Sequence, residues 1–252
     1  MMWAFLHQLS SPKYFYTVIK KLVPWIGGLC LLTMLVGLYL GLIVAPADYQ
    51  QGDAYRIIFV HVPAAWMSMF IYVLMAGAGA IGLIWRIKLA EVTAVCSAPI
   101  GASFTFLALA TGSLWGKPMW GAWWVWDARL TSELILLFLY LGVIALNSAI
   151  EDKRIASQAS AILALVGVVN IPIIHYSVVW WNTLHQGSTV TKLSAPSIHL
   201  SMLIPLLIMA IAFKLFYVLV LFLRMRSEIL ARERNTGWVQ TLVADNFSKE
   251  NA

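Results

Sequence analysis

Six runs of about twenty apolar residues constrain the fold of this chain more than any other feature. A bilayer core about 30 Å thick needs roughly 20 apolar residues per helix, and backbone groups in lipid must be hydrogen-bonded within the segment. Only 11% of the residues are charged, which argues against a soluble domain. The sequence therefore predicts an all-α polytopic membrane protein with six transmembrane helices, at residues 24–44, 62–85, 93–114, 130–150, 155–176 and 198–223.

The six runs form one predicted domain, because no repeat, low-complexity stretch or second domain interrupts them. Residues 24–223 are expected to form a single helical bundle between a cytoplasmic N-terminal tail, residues 1–23, and a cytoplasmic C-terminal tail, residues 224–252. The first run is too long for the apolar part of a signal peptide, so we expect it to remain as an uncleaved helix. The fifth run is the least apolar, with Gln158, Ser160, Asn170 and Pro172.

The placement of lysine and arginine predicts the orientation in the membrane. With a cytoplasmic N-terminus, twelve of the 17 Lys and Arg residues lie inside and four lie outside, while Lys214 falls within the last run. This bias predicts that both termini are cytoplasmic and that loops one, three and five share the outer face. The net charge of +6 is explained by these helix-end residues, so we expect membrane lipid and no nucleic acid as a partner.

The third loop is exceptionally rich in tryptophan, at Trp115, Trp120, Trp123, Trp124 and Trp126. If the segment from Trp120 is helical, Trp120, Trp123, Trp124 and Asp127 would lie on one face. An interfacial aromatic belt would spread tryptophan over many helix ends. Seven of the 12 tryptophans instead lie in outer loops three and five, a clustering that favours a surface for a planar ligand.

Four of the five histidines lie on or near the outer face. His61 precedes the second predicted helix and His185 lies well out in loop five, so together they could supply the two axial ligands of a haem iron facing the indole surface. His175 and His199 lie beside helix ends, where a hydrogen-bonded structural role is the better interpretation. No Cys-x-x-Cys-His motif is present, which predicts non-covalently bound haem b, and both cysteines, Cys30 and Cys96, fit packing roles.

Haem propionates need cationic partners. The outer-face candidates are Arg56 and Arg129, with Lys192 behind them. For Arg129 an ion pair with Asp127 or Glu133 is an equally good interpretation. Asp127 could cap the fourth helix or orient a ligand, and the sequence does not separate these roles.

Two classes of activity lack support in the sequence. There is no Gly-x-x-x-x-Gly-Lys-[Ser/Thr] motif for ATP hydrolysis, and no row of acidic residues crosses a predicted helix as ion-driven transport would require. Two alternatives to haem handling stay open: a membrane b-type cytochrome in electron transfer, and a permease subunit for another substrate.

Residues 120–133, Trp120-Gly-Ala-Trp-Trp-Val-Trp-Asp-Ala-Arg-Leu-Thr-Ser-Glu133, closely resemble the tryptophan-rich (WWD) signature of the haem-handling protein family. The resemblance extends to His61-Val-Pro-Ala-Ala-Trp66 and to Trp181-Asn-Thr-Leu-His185-Gln-Gly187. The size and six-helix layout are similar to the CcmC group of that family, the haem exporter C proteins of bacterial cytochrome c maturation.

This resemblance implies a protein of the bacterial inner membrane that holds haem on its periplasmic loops with His61 and His185 as axial ligands. It implies delivery of that haem to the membrane-anchored chaperone CcmE, with the ABC transporter subunits CcmA and CcmB and the small protein CcmD as further partners. A transfer role of this kind is not an enzyme activity, although catalysis of haem attachment to the chaperone stays open.

Overall fold

The structure is a computed structural model that describes residues 11–187, 189–190 and 195–250, with side chains described as far as residue 245. Regular structure in these residues is helical, apart from one isolated bridge between Asp48 and Gly52. The α-helices are α1 (Pro12–Tyr39), α2 (Ile58–Trp85), α3 (Lys88–Trp120), α4 (Ala128–Ala149), α5 (Lys153–Gly167), α6 (Asn170–Trp180), α7 (Leu200–Arg232) and α8 (Gly237–Glu250). A π-helical turn, Leu40–Val44, continues α1, and a 3-10 turn, Asp53–Ile57, leads into α2.

Six helical segments of the described chain are long and apolar enough to cross a membrane, with α5 and α6 together forming the fifth. The prediction of a multi-pass all-α membrane protein is therefore confirmed. Most segments are longer than the apolar runs, because helices continue past the hydrocarbon core into polar and aromatic residues. The clearest case is α3, which extends from Lys88 to Trp120, whereas its apolar run covers residues 93–114.

Helix α2 lies at the centre of the bundle, packed against α3, α5 and α7, while α1 packs along α7. Small residues allow close contacts, as is usual between membrane helices. Gly101 of α3 lies directly against the ring of Tyr140 in α4, where a Cβ atom would collide with that ring. The Tyr140 hydroxyl in turn donates a hydrogen bond of 2.7 Å to the carbonyl of Ser68, which joins α4 to α2.

The fifth transmembrane segment breaks at Val168 and Val169, between α5 and α6. The buried Asn170 begins α6 and donates a hydrogen bond of 2.9 Å from its side chain to the carbonyl of Ser132 in α4. A polar residue that weakened the sequence pattern thus joins two helices. Cys30 and Cys96 are buried and form no disulfide, which fits packing roles.

Three connecting loops meet at one end of the bundle, because consecutive spans run in opposite directions and alternate loops therefore share a side. The indole Nε1 of Trp115 donates to the side chain of Gln51 at 2.9 Å, which connects α3 to the first loop. The hydroxyl of Thr183, in the loop after α6, donates to the carboxylate of Asp127 in the loop after α3. These contacts build a cleft at this end of the bundle.

Candidate functional site

Two histidines face each other in a cleft at this end of the bundle. His61, in the first turn of α2, is 8% exposed, and His185 lies in the loop between α6 and α7. Their ring centroids are 6.1 Å apart and the ring planes are 23° from parallel. Metal–imidazole bonds of about 2 Å, together with the radii of the two rings, add up to roughly this separation. The centroid separation is thus close to that of two imidazoles bound to one metal ion.

The proton position on His61 follows from its hydrogen bond with Thr111 of α3. The Thr111 hydroxyl donates to the carbonyl of Leu107 at 2.6 Å, so its oxygen is left to accept from His61 Nδ1, 3.0 Å away. A proton on Nδ1 leaves the lone pair of Nε2 free. The metal-binding tautomer of a histidine is commonly selected in this way by a partner on the other ring nitrogen.

Gly112 leaves the space that the His61 ring occupies. A Cβ atom at position 112 would lie 2.9 Å from Cε1 and 3.5 Å from Nδ1 of His61. Real Cβ atoms do not approach a ring carbon that closely, so a side chain at this position would push the imidazole aside.

The second histidine is held through Thr183 and Asp127. Thr183 donates its hydroxyl proton to Asp127, and the same oxygen accepts the backbone N–H of His185 at 3.0 Å. The other carboxylate oxygen of Asp127 accepts the backbone N–H of Leu130 at 2.8 Å and so caps α4. Asp127 therefore caps α4, which is one of the two roles that the sequence allowed, and it also ties the His185 loop to that helix.

The surroundings of His185 keep its ring neutral. Burial and, second, the nearby positive charge of Arg129 lower the pKa of His185 to about 4. A neutral imidazole is the form that binds a metal ion. Arg129 thus affects the histidine as well as any anion that enters the cleft.

The tryptophans of loop three divide into two groups. Trp115 and Trp120 line the cleft, with ring centroids 5.6 Å from His61 and 5.8 Å from His185, respectively. Trp66 of α2 lines the cleft as well. Each histidine ring therefore has an indole edge-to-face beside it.

The helical face proposed for Trp120, Trp123, Trp124 and Asp127 is not formed. Helix α3 ends at Trp120, where Gly121 adopts a left-handed conformation with φ of 74°, and residues 122–127 are not helical. As a result the indoles of Trp123, Trp124 and Trp126 do not line the cleft. Trp123 and Trp126 are exposed, and Trp124 packs on Trp126 with its Nε1 buried and unpaired among the described residues.

The two arginines proposed for anion binding lie in different surroundings. Arg129 lines the cleft and forms no ion pair within the described part of the chain, so neither predicted pair with Asp127 or Glu133 is present. Arg56 lies outside the lining, where it donates to Asp53 at 2.8 Å and to the carbonyl of Gly41 at 3.2 Å. Lys192 lies outside the described residues.

A deeper pocket continues from the histidine pair into the bundle between α2, α3 and α4, and Glu133 lines it. Glu133 is 7% exposed, and one of its carboxylate oxygens has no partner among the described residues. An ionisable group within a membrane span usually marks a functional position. No periodicity in the sequence distinguished Glu133, Thr111 or Gly112, because their role depends on how the helices pack.

His175 and His199 do not line the cleft. His199 caps α7, where its Nδ1 accepts the backbone N–H of Ser201 at 3.3 Å. His175 lies within α6 rather than at its end, with its ring 4.7 Å from that of Tyr176.

The donor set fits a metal that arrives with other ligands. Among the described residues, no group of three or more His, Cys, Asp and Glu side chains is close enough to hold a free metal ion. A haem iron already has four porphyrin nitrogens and requires only two further ligands, one from each side of the ring. Two facing neutral imidazoles beside indole rings therefore suit haem better than a bare ion.

Comparison with known proteins agrees with these features. Residues 5–240 match the family model of CcmC, described as Heme exporter protein C. Heme exporter protein C of Escherichia coli K12 is 54% identical over 242 residues, covering 96% of this chain and 98% of the relative, and that of Haemophilus influenzae is 50% identical over 241 residues, with the same coverage. A ccmC-like mitochondrial protein of Marchantia polymorpha, named for cytochrome c biosynthesis, is 45% identical over 205 residues, covering 81% of this chain and 87% of the relative. The chain belongs to the CcmC family of haem exporter C proteins.

Proposed function

We propose that this protein binds haem b non-covalently between His61 and His185 and passes it on for cytochrome c maturation. The observation that carries the proposal is the facing pair of imidazoles, 6.1 Å apart in a cleft lined by indoles. The names of the relatives, which refer to haem export and cytochrome c biosynthesis, support the same substrate.

Different residues of the cleft would bind different parts of the haem. Haem brings an iron that accepts two axial ligands, a flat apolar ring and two propionates. Thr111 keeps Nε2 of His61 unprotonated, and the Asp127–Thr183 link holds His185 opposite to it. Trp115 and Trp120 offer apolar surface beside the ligands, and Arg129 supplies the positive charge for a propionate.

The sidedness of the site is part of the proposal. The bias of basic residues supports an orientation in which the cleft faces the periplasm of a bacterial inner membrane and both termini are cytoplasmic. A haem held at that face is accessible to a periplasmic acceptor without crossing the bilayer again.

The partners follow from the family resemblance. We propose that the haem chaperone CcmE docks over the cleft and takes the haem, and that CcmA, CcmB and CcmD complete the assembly. The exposed rings of Trp123 and Trp126 lie beside the cleft on the same loop and are suited to contact such a partner. In this scheme the chain is a transfer protein rather than an enzyme.

An absorption spectrum of the purified protein tests the proposal. We expect a Soret band of low-spin haem in the wild type, and loss or shift of that band in His61→Ala and in His185→Ala. His175→Ala and His199→Ala are matched controls from the same end of the bundle and should keep the wild-type spectrum. Loss of haem in His175→Ala with retention in His185→Ala would refute the ligand assignment.

Two further outcomes separate the alternatives. Absence of any haem band in the wild type would favour a permease for another substrate. Rapid reduction of the bound haem by quinol would favour an electron-transfer cytochrome, whereas slow reduction together with haem loss to added CcmE would support transfer.

A further inference from the structure

A second large cavity, of about 900 Å³, lies at the opposite end of the bundle from the histidine cleft. The ends of α2 and α7, the starts of α3 and α5, and the segment after α4 surround it. Six basic side chains line this cavity: Arg86, Lys88, Lys153, Arg154, Arg232 and Arg234.

Ion pairs account for two of the six basic side chains. Arg232 lies 2.6 Å from Glu228 and 3.7 Å from Glu91, and its side chain is only 18% exposed. Lys88 pairs with Glu233 at 3.8 Å. Three of the four acidic residues of the lining are thus engaged with two of the six basic ones.

The other four basic residues, Arg86, Lys153, Arg154 and Arg234, are exposed at the rim. None of them forms an ion pair with another described residue, and Glu151 is the one acidic lining residue outside the ion pairs. The rim therefore carries net positive charge around an open cavity. The positive-inside rule explains basic residues near this end of the helices, but it does not require four of them to surround one cavity.

The neighbouring Trp85 indicates the level of the rim relative to the membrane. Arg86 directly follows Trp85, whose ring is 65% exposed at the end of α2. Exposed tryptophan at the end of a membrane helix is typical of the headgroup level. A binding site at this depth is accessible to lipid headgroups from the side as well as to ions from solution.

We propose that this cavity binds a phosphate group, supplied by the headgroup of an anionic phospholipid. Guanidinium groups bind phosphate oxygens through paired, charge-assisted hydrogen bonds, and three of the four rim cations are arginines. Basic pockets between membrane helices on the cytoplasmic side are suited to such headgroups. The inference does not depend on haem binding, because the two cavities lie at opposite ends of the bundle.

Lipid binding to the full-length protein in detergent tests this proposal by native mass spectrometry and thermal unfolding. The added ligands are cardiolipin, phosphatidylglycerol, phosphatidylethanolamine and inorganic phosphate. We expect the two anionic lipids to form adducts and to raise the unfolding temperature, with weaker stabilisation by phosphate at millimolar concentration. If inorganic phosphate stabilises the protein and the anionic lipids do not, the site binds a free anion rather than a lipid headgroup. That result would overturn the proposal.

The matched variants are two triple substitutions that remove the same charge. Arg86→Gln with Arg154→Gln and Arg234→Gln should weaken anionic-lipid binding about tenfold or more. Lys13→Gln with Lys20→Gln and Lys21→Gln, whose side chains lie outside the cavity lining, should bind lipid as the wild type does. Equal loss of lipid binding in both triple variants would mean that binding depends only on the net charge of the protein, and it would overturn the proposal.

A single substitution, Arg86→Gly, separates a loss of lipid binding from a loss of stability. Arg86 has a φ of 56°, a left-handed conformation that is costly for a residue with a side chain and favourable for glycine. Arg86→Gly should therefore unfold at a temperature no lower than the wild type while binding less anionic lipid. Undiminished lipid binding in Arg86→Gly would contradict the role of this arginine.

Discussion

Replacement of Thr183 by valine is expected to loosen the hold on His185 without changing the shape of the side chain. The hydroxyl of Thr183 donates to Asp127 and accepts the backbone N–H of His185, so valine removes both hydrogen bonds at once. His185 lies in a loop rather than in a helix, and these bonds are its connection to the N-terminus of α4. The predicted effect is on haem affinity, because the second axial ligand would occupy its position less often.

The size of the effect follows from the two bonds. A hydrogen bond to a charged group contributes about 1.5–3 kcal/mol and a neutral one about 1 kcal/mol. Thr183 is half-buried, so water can replace part of these two hydrogen bonds in the valine variant. We therefore expect the ordered loop to be destabilised by about 2 kcal/mol. Since 1.4 kcal/mol corresponds to a factor of ten, the ordered loop becomes up to about 30-fold less populated. The apparent dissociation constant for haem should rise by up to the same factor.

Haem titration followed at the Soret band measures this change. Thr183→Ser retains the hydroxyl and should bind haem nearly as the wild type does. Asp127→Ala should lose the link to Thr183 and also the helix cap, which contributes about 1 kcal/mol. Asp152→Ala is the matched control: Asp152 caps α5 through the N–H groups of Arg154 and Ile155, and it lies outside the lining of the cleft.

Two results would refute this reasoning. Affinity of Thr183→Val within about twofold of the wild type would mean that the loop is ordered by other contacts. An equal loss of haem in Asp152→Ala and Asp127→Ala would mean that capping alone, rather than the link to the His185 loop, explains the aspartate.

Four further outcomes are expected. Gly112→Ala should displace the His61 ring and diminish the low-spin spectrum, whereas Gly77→Ala, with nothing within 4 Å of its added Cβ, should not; equal spectra would contradict the clearance argument. Trp115→Ala with Trp120→Ala should reduce haem affinity about 30-fold, since each of the two lost aromatic contacts is worth about 1 kcal/mol. Trp123→Ala with Trp126→Ala should retain haem and weaken transfer to CcmE; similar haem contents in the two double variants would contradict the division of the tryptophans into two groups. Because the pKa of His185 is lowered to about 4, its ring stays neutral as the pH falls through the ordinary value of about 6.5, so the haem spectrum should be constant from neutral pH to about 5, and loss of haem near 6.5 would count against this environment. A periplasm-specific reporter should be active after Met119 or Gly187 and silent after Lys153; activity after Lys153 would reverse the assigned orientation.

The sequence was sufficient to predict the spans and to place His61 and His185 at the same end of the bundle. Apolar runs report directly on membrane burial, and six spans bring alternate loops to the same end whatever the details of packing. The two histidines could therefore be assigned to one face before any contact between them was known. The same information predicted helix-end roles for the other two histidines: His199 caps α7 as expected, whereas His175 lies inside α6.

The helical face considered for Trp120, Trp123, Trp124 and Asp127 is not formed, and the sequence contains a residue that argues against it. Gly121 directly follows Trp120, and glycine after a run of helical residues is a common stop because it adopts the left-handed conformation readily. The spacing of the tryptophans is compatible with a continuous helix, but the glycine after Trp120 ends the helix before the next indole. The stop divides the five indoles between the cleft and the outer surface.

The partners of His61 were beyond the reach of the sequence for a different reason. Thr111 and Gly112 lie about fifty positions away from His61 in the chain, and their contact depends on the register between α2 and α3. Apolar periodicity predicts which faces of two helices pack together, but it does not predict which turn of one helix lies beside which turn of the other. The hydroxyl that positions the proton on His61 therefore becomes visible only in the packed bundle.

The two proposed ligands are held by different kinds of contact, and that difference bears on transfer. His61 lies on a helix at the centre of the bundle, 8% exposed and fixed by Thr111 and by the space above Gly112. His185 lies on a loop whose connection to α4 is made by one threonine and one aspartate. Local opening is easiest where few buried contacts must break, so the loop should yield before the helix does. We therefore expect haem release to begin on the His185 side, which exposes one face of the ring to an acceptor while His61 still holds the other.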